Sequence, residues 1–127
     1  MSVLNYAMFA ALMAAFPSSD KCTVEGEVFY LQRIALPQNA MVSVRLEEQG
    51  IADKAADIFA ESEFSSEGKQ VPLPFKLEAD CADLENAVTP GFTVRIMIDG
   101  KLRFINTVSN PYDENQDLQR VQVDPVG

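Results

Sequence analysis

Several residue types that carry catalytic or metal-binding chemistry are missing from this chain. Its 127 residues include no histidine, no tryptophan and only two cysteines. The usual general base at neutral pH and the commonest transition-metal ligand are therefore absent. Nucleophilic catalysis by a Ser-His or Cys-His pair is excluded for the same reason, and there is no P-loop, Rossmann glycine pattern or nucleophile elbow. The sequence predicts a protein that is not an enzyme and needs neither a cofactor nor a metal.

Positive charge is also scarce. Ten Lys and Arg residues stand against 19 Asp and Glu, which gives a net charge of -9. A surface of that sign repels phosphate backbones and anionic lipid headgroups, so no nucleic-acid partner is expected. The neighbouring acids Glu25 and Glu27, and Glu47 and Glu48, are interpreted as the solvated sides of strands rather than as a glycosidase pair.

The first 19 residues contain no charged side chain. Residues 3–16 are almost wholly apolar, a run shorter than the roughly 20 residues that span a bilayer but suited to the core of a signal peptide. A docked terminal helix is the alternative. We therefore divide the chain into an apolar leader, residues 1–19, and a β domain, residues 20–127, with a membrane contact expected only through an N-terminal anchor.

Beyond Cys22 the hydrophobic pattern has a period of two. Residues 23–30 and 41–48 alternate apolar and polar side chains, and residues 71–79, 92–98, 101–106 and 120–123 are interpreted as further strands. Residues 57–64 are also interpreted as a strand because they lie between strands, with one helical turn as the alternative. This predicts an all-β domain, an antiparallel β-sandwich or flattened barrel of six to eight short strands, preceded by an apolar N-terminal helical segment.

Prolines and glycines mark the turns between these strands. Pro72 and Pro74 lack amide donors on one face of their strand, which indicates an edge strand or one whose first half is irregular. Asp99 and Gly100 separate two alternating runs and predict a tight hairpin, because type I′ turns need positive φ at both central residues. Asp80 is a candidate N-cap for a short helical turn.

One acidic stretch has partial calcium-loop spacing. Asp113, Asn115, Asp117 and Asp124 occupy the first, third, fifth and twelfth positions of residues 113–124. The sixth position, which needs glycine, is Leu118, and the twelfth normally supplies a bidentate glutamate. A solvated loop is the favoured interpretation.

The two cysteines, Cys22 and Cys81, lie at the ends of predicted strands. In an exported protein they are candidates for one disulfide that closes a long loop. Cys22, which follows the apolar segment, is alternatively a candidate for lipid modification as the first residue of a mature lipoprotein. These two roles exclude each other, and free thiols are the third possibility.

Residues 24–48, "VEGEVFYLQRIALPQNAMVSVRLEE", resemble the YbaY-like lipoprotein family, which shares a domain with the YscW-type pilotins of type III secretion systems. The matching pattern is a Gly-x-Val strand, a cation, Ala-Leu-Pro and a Val-x-Val-x-Leu strand. Residues 51–53, 67–77, 99–107 and 124–126 match as well. The resemblance implies an exported antiparallel β-sandwich that is often lipid-anchored at the outer membrane, with no catalytic residues.

Within this motif the Ala-Leu-Pro run predicts a corner between two strands. Ala35 and Leu36 are expected to fill the core, and Pro37 to punctuate the start of the second strand. Arg33 is expected to satisfy carbonyls or pair with an acid at this corner. The alternative is that Arg33, with an exposed Phe29, contacts a binding partner.

The function expected from these features is that of an exported, non-enzymatic protein of the Gram-negative envelope, in the periplasm or associated with the outer membrane. By resemblance it would bind a protein or peptide, such as the tail of a secretin, as a pilotin or accessory chaperone does. The alternative is a YbaY-like envelope module of unknown role that binds a small ligand or has no secretin partner.

Overall fold

Strands make up most of the described chain. The computed structural model describes residues 20–50 and 57–127. The predicted leader with its helical segment, and the motif residues 51–53, therefore lie outside the described residues. The elements in chain order are β1 (Lys21–Phe29), β2 (Met41–Glu48), β3 (Ile58–Ser65), β4 (Leu73–Asp80), α1 (Cys81–Asn86), β5 (Pro90–Ile98), β6 (Lys101–Ile105), β7 (Gln119–Gln122) and β8 (Asp124–Pro125).

These strands form two separate sheets. One has three strands in the order β4-β1-β7, and the other has five in the order β3-β2-β5-β6-β8. The all-β class is confirmed. The flattened-barrel alternative is wrong, because in the described residues the two sheets keep separate hydrogen-bond ladders and do not close into one.

Alternation along the strands places the core between the sheets. In β2, Val42, Val44 and Leu46 are fully buried, and their neighbours in sequence point away from the core. Phe75 of β4 and Phe92 of β5 meet across the core with ring centroids 5.7 Å apart. Successive side chains of a strand point to opposite faces of the sheet. The core is therefore built from the apolar side chains on the inner face of each sheet.

One strand pairing departs from the antiparallel prediction. β1 runs antiparallel to β4 but parallel to β7, with Gly26 opposite Gln119 and Phe29 opposite Gln122. Parallel neighbours need a long crossover connection. Here the whole of β2 to β6 lies between the two strands, so only the tertiary fold brings β7 alongside β1.

Two local predictions are confirmed. β4, which follows Pro72 and contains Pro74, lies at the edge of the three-stranded sheet. Asp99 and Gly100 form the turn between β5 and β6 and both have positive φ, 52° and 77°.

The short helical turn predicted after Asp80 is also present, as α1. Asp80 precedes it, but its side chain does not cap the helix. The carboxylate instead pairs with the Lys21 ammonium at 3.0 Å. Across residues 20–50 and 57–127, no helix is both long and apolar enough to cross a membrane.

The second half of the stretch with calcium-loop spacing forms β7 and β8, in keeping with the strand predicted for residues 120–123. Asp113 accepts a hydrogen bond from the Asn115 amide, and Asp124 accepts one from the Thr107 hydroxyl. The described part of the chain holds no group of three or more acidic or cysteine side chains arranged around a metal position.

Candidate functional site

The corner loop, residues 30–40, joins β1 in one sheet to β2 in the other. Its first anchor is Tyr30, which is buried and stacks on Phe104 of β6 with ring centroids 4.5 Å apart. The Tyr30 hydroxyl donates a hydrogen bond to the Ile34 carbonyl. Burial raises the pKa of Tyr30 above its ordinary value, so the hydroxyl keeps the proton that it donates.

The second anchor of the corner loop is Leu36, which is 4% exposed. Its amide donates to the Gln70 side-chain oxygen at 2.7 Å, and its carbonyl accepts from the Gln70 side-chain nitrogen at 3.1 Å. One side-chain amide thus replaces a strand partner at this point. Leu36 fills the core as predicted, whereas Ala35 is exposed, because the loop turns its side chain outward.

The end of the corner loop is held at Pro37. The Pro37 carbonyl accepts from the Ala40 amide at 3.2 Å and from the Ser66 hydroxyl at 2.9 Å. Ala40 itself is fully buried. The corner that the Ala-Leu-Pro run predicts is therefore present, and its backbone is bonded at both ends.

Between these anchors the loop presents apolar side chains to solvent. Leu31 is 70% exposed and Ile34 is 54% exposed, and Val126, after β8, is 46% exposed. Ile34 and Val126 line one shallow groove of about 180 Å³, whose base includes Ile98 and Phe104. Exposed apolar side chains beside a groove, on a well-bonded backbone, mark a candidate interaction surface.

Two arginines flank these side chains. Arg33 lies in the loop between the two exposed apolar residues, and Arg103 of β6 lines the groove. Both are exposed, and neither guanidinium has a hydrogen bond or ion pair with a described residue. The structural role expected for Arg33 is therefore not seen in the described residues. We call Leu31, Arg33, Ile34, Arg103 and Val126 the corner surface.

Phe29, the other predicted contact residue, does not belong to the corner surface. It is half-buried on the outer face of the three-stranded sheet, with the Arg120 guanidinium 4.3 Å from its ring centroid. Arg120 in turn pairs with Glu27 at 2.9 Å. These contacts already occupy the exposed face of the ring, and no described contact joins Phe29 to Arg33.

The two cysteines lie at the opposite end of the domain. Cys22 and Cys81 are joined by a disulfide with their Cα atoms 5.1 Å apart, which ties the start of β1 to the start of α1. In this structure the Cys22 sulfur is thus not available to carry a lipid. Free cysteines are absent from the described residues.

Glu48 corrects one of the sequence interpretations. It is only 7% exposed, and its carboxylate accepts from the Val88 amide at 2.7 Å and from both the amide and the hydroxyl of Thr89. The Val88 amide is the largest cause of a pKa below the ordinary value for this carboxyl, and the Thr89 bonds act in the same direction. The alternation along β2 already indicated that Glu48 points inward, because Glu48 lies on the same face of the strand as Val42, Val44 and Leu46.

Comparisons with known proteins agree with this architecture. Residues 19–123 match the family described as "Type III secretion system lipoprotein chaperone (YscW)". The chain is 30% identical over 95 residues to the "Uncharacterized lipoprotein YbaY" of Escherichia coli K12, covering 75% of this chain and 50% of that protein. It thus spans about half the length of this curated relative.

A solved structure shares the fold. The structure of an alternative pilotin from the type II secretion system of Vibrio cholerae superposes with a TM-score of 0.76 at 32% identity, covering 85% of this chain and 99% of that one. The predicted resemblance is confirmed, and a lipoprotein chaperone is a non-enzymatic kind of protein. The chain belongs to the YscW family of type III secretion system lipoprotein chaperones.

Proposed function

We propose that this protein is an exported accessory protein of the Gram-negative envelope that binds a segment of a secretin subunit through its corner surface, as a pilotin does. The family and the likeness to a pilotin support an accessory role in secretion. The lipoprotein relatives support an envelope location, in the periplasm or at the outer membrane. The secretin segment is the partner that this proposal adds.

A single observation carries the choice of surface. Leu31 and Ile34 stay exposed although the loop that holds them is bonded at Tyr30, Leu36 and Pro37. A folded partner segment would bury these side chains without requiring the loop to reorganise. Preorganisation of this kind lowers the ordering cost of binding.

The mode of binding follows from the surroundings of the corner surface. The β4 edge is a poor site for strand addition, because Pro74 lacks an amide donor there. A helix that lays an apolar face on Leu31, Ile34 and Val126 fits better. Arg33 and Arg103, which have no described partners, would then meet acidic residues flanking that face.

Titration of the full-length protein with the C-terminal segment of a secretin from the same bacterium tests this proposal. Amide chemical shifts should change at residues 31–36 and 103–104, and calorimetry should yield the affinity. Replacing both Leu31 and Ile34 by serine should weaken binding about tenfold or more, because central apolar contacts dominate such interfaces.

The matched control replaces Ile58 and Val108 by serine. These side chains are 47% and 64% exposed, and Ile58 pairs with the end of β2 that is remote from the corner loop, so this variant should bind as the parent protein does. Replacing Arg33 by glutamate, which reverses the charge at this position, should also weaken binding of the secretin segment and reduce the salt dependence of that binding. If the corner-loop amides keep their chemical shifts at a saturating concentration of the secretin peptide, the proposal is overturned.

A further inference from the structure

A second surface lies at the opposite end of the domain, where β2 ends and β5 begins. Two grooves of about 400 and 490 Å³ adjoin there and share Pro90, Pro111 and Tyr112 as a common floor. We call their combined lining the acidic groove. Its apolar lining consists of Leu84, Ala87, Val88, Pro90, Pro111 and Tyr112.

The floor of the acidic groove is fixed to the core. The Tyr112 amide donates to the Pro90 carbonyl at 2.9 Å, and the Tyr112 ring packs edge-on against the buried Phe92 at 6.3 Å. The Phe92 amide in turn donates to the Asn110 carbonyl at 2.9 Å. The floor is therefore formed before any partner arrives.

One wall presents an apolar side chain on a restrained turn. Val88 is 79% exposed, yet its amide is bound by the buried Glu48 carboxylate at 2.7 Å. The next residue, Thr89, donates to the same carboxylate through its hydroxyl at 2.9 Å. Glu48 thus holds this turn with the valine facing solvent, the same arrangement of bonded backbone and exposed side chain as in the corner loop.

The rim of the groove is negatively charged. Glu85 of α1 and Glu114 of the facing loop are exposed, and neither carboxylate has a partner among the described residues. Asp113 completes the rim, and Gln119 holds its loop by donating to the Asp113 carbonyl at 2.7 Å. No Lys or Arg lines either groove in the described residues.

We propose that the acidic groove binds a cationic amphipathic protein segment, with its apolar side chains on Val88 and Tyr112 and its Lys or Arg residues on Glu85 and Glu114. Charge complementarity selects this partner, because anionic lipids and acidic segments are repelled from the rim. The corner surface carries the opposite charge, in Arg33 and Arg103, and so selects a different partner. The protein would thereby hold two segments at its two ends.

A pair of synthetic peptides tests this inference on the full-length protein. Both form an amphipathic helix of about five turns, roughly 18 residues, with leucines on one face and either lysines or glutamates on the other. The lysine peptide should bind and shift the amides of Val88, Tyr112 and Glu114. The glutamate peptide should not bind.

Variants locate the binding. Replacing Glu85 and Glu114 by glutamine should weaken binding of the lysine peptide about threefold to tenfold and lower its salt dependence, since two exposed ion pairs are lost. The matched control replaces Glu25 and Glu63, which are exposed on other faces, by glutamine and changes the net charge equally. It should leave binding unchanged, as should the serine variant of Leu31 and Ile34.

Three outcomes would overturn the inference. Equal binding of both peptides would show that charge does not select the partner. Shifts confined to the corner loop would place the binding on the other surface. Sedimentation showing self-association that the Glu85 and Glu114 variant abolishes would identify a second copy of this chain as the occupant. The inference and the proposed function can fail independently. The serine variant of Leu31 and Ile34 tests the proposed function through secretin binding, and the same variant should still bind the lysine peptide.

Discussion

Individual polar residues hold the backbone around the acidic groove. Glu48 binds the turn at residues 88–89, and the Gln119 side chain closes the loop at residues 113–116. A buried carboxylate is tolerated when its oxygens accept several hydrogen bonds, which here come largely from backbone amides. Glu48 therefore acts as a structural anion whose contribution depends on its ionisation.

Replacing Glu48 by glutamine should lower the melting temperature at pH 7, because an amide group cannot accept all the bonds that the carboxylate accepts. The pKa of Glu48 lies below its ordinary value of 4.5 in the folded protein. Its stabilisation is thus fully present above 4.5 and is lost as the pH falls through the lowered pKa. The difference in melting temperature between the two proteins should consequently narrow toward pH 3.

Thermal unfolding of both proteins between pH 7 and pH 3 measures this difference. The exposed Glu63→Gln variant serves as the control and should follow the parent protein throughout. A gap for Glu48→Gln that stays constant over this range would show that the charge on Glu48 does not stabilise the fold.

At the scale of elements, the most exposed apolar side chains of both candidate surfaces, Leu31, Ile34 and Val88, lie in loops. The corner loop spans residues 30–40, and in its middle the Gln70 side chain takes the place of a strand partner by bonding both the amide and the carbonyl of Leu36. That pairing joins it to the loop before β4. The two loops are therefore expected to loosen together.

Replacing Gln70 by alanine should destabilise the protein by about 1–2 kcal/mol, because the amide and carbonyl of Leu36 lose their protein partner. Hydrogen exchange at the Leu36 amide should become faster, and urea unfolding should show the lower stability. Affinity for a segment bound at the corner surface should also fall, since the loop must then be ordered on binding.

Gln38→Ala is the matched control for this change. Gln38 is an exposed glutamine of the same loop whose side chain makes no hydrogen bond to a described residue. It should leave both exchange and stability unchanged. Unaltered exchange at Leu36 in Gln70→Ala would contradict the anchoring role of Gln70.

Strand boundaries were predictable wherever the pattern was local. The alternation of residues 41–48 coincides with β2, and the Asp99-Gly100 turn lies where the sequence predicts it. β7 was predicted as a strand, but its parallel partner was not, since partners distant in sequence are chosen by packing. Gly26 takes part in that packing, because a Cβ there would overlap the Phe75 ring and the Gln119 carbonyl.

At the scale of the whole molecule, the two ends differ in charge and in covalent structure. The disulfide lies at the end with the acidic groove and links residues 59 positions apart. In the chain-entropy model, a cross-link over that separation stabilises the folded state by on the order of 4 kcal/mol.

Replacing both cysteines by serine should therefore cost on the order of 4 kcal/mol of unfolding free energy, because the unfolded chain regains the freedom of the closed loop. Denaturant unfolding of the oxidised parent and of the double variant measures this loss. Reductant should destabilise the parent and leave the variant unaffected. Equal stability of the reduced and oxidised parent would contradict a stabilising role for the disulfide.

The candidate sites were only partly predictable. Arg33 was singled out because a cation beside an Ala-Leu-Pro corner is distinctive, and it lies in the corner surface. Phe29 was singled out with it, but the fold places that ring under Arg120 on another face. The acidic groove was not predicted, since its lining comes from three segments that are separated in sequence, residues 49–50, 84–90 and 109–115.

The sequence alone determined the all-β class, the alternating core positions, the hairpin and the corner, because each depends on side-chain period or on backbone dihedral preferences within a few residues. It also determined the absence of histidine chemistry and the net negative charge. Tertiary structure decided the pairing of β1 with β7 and the separation of charge between the two ends. These features depend on which distant strands pack together, and packing energy is shared among residues that no local pattern connects.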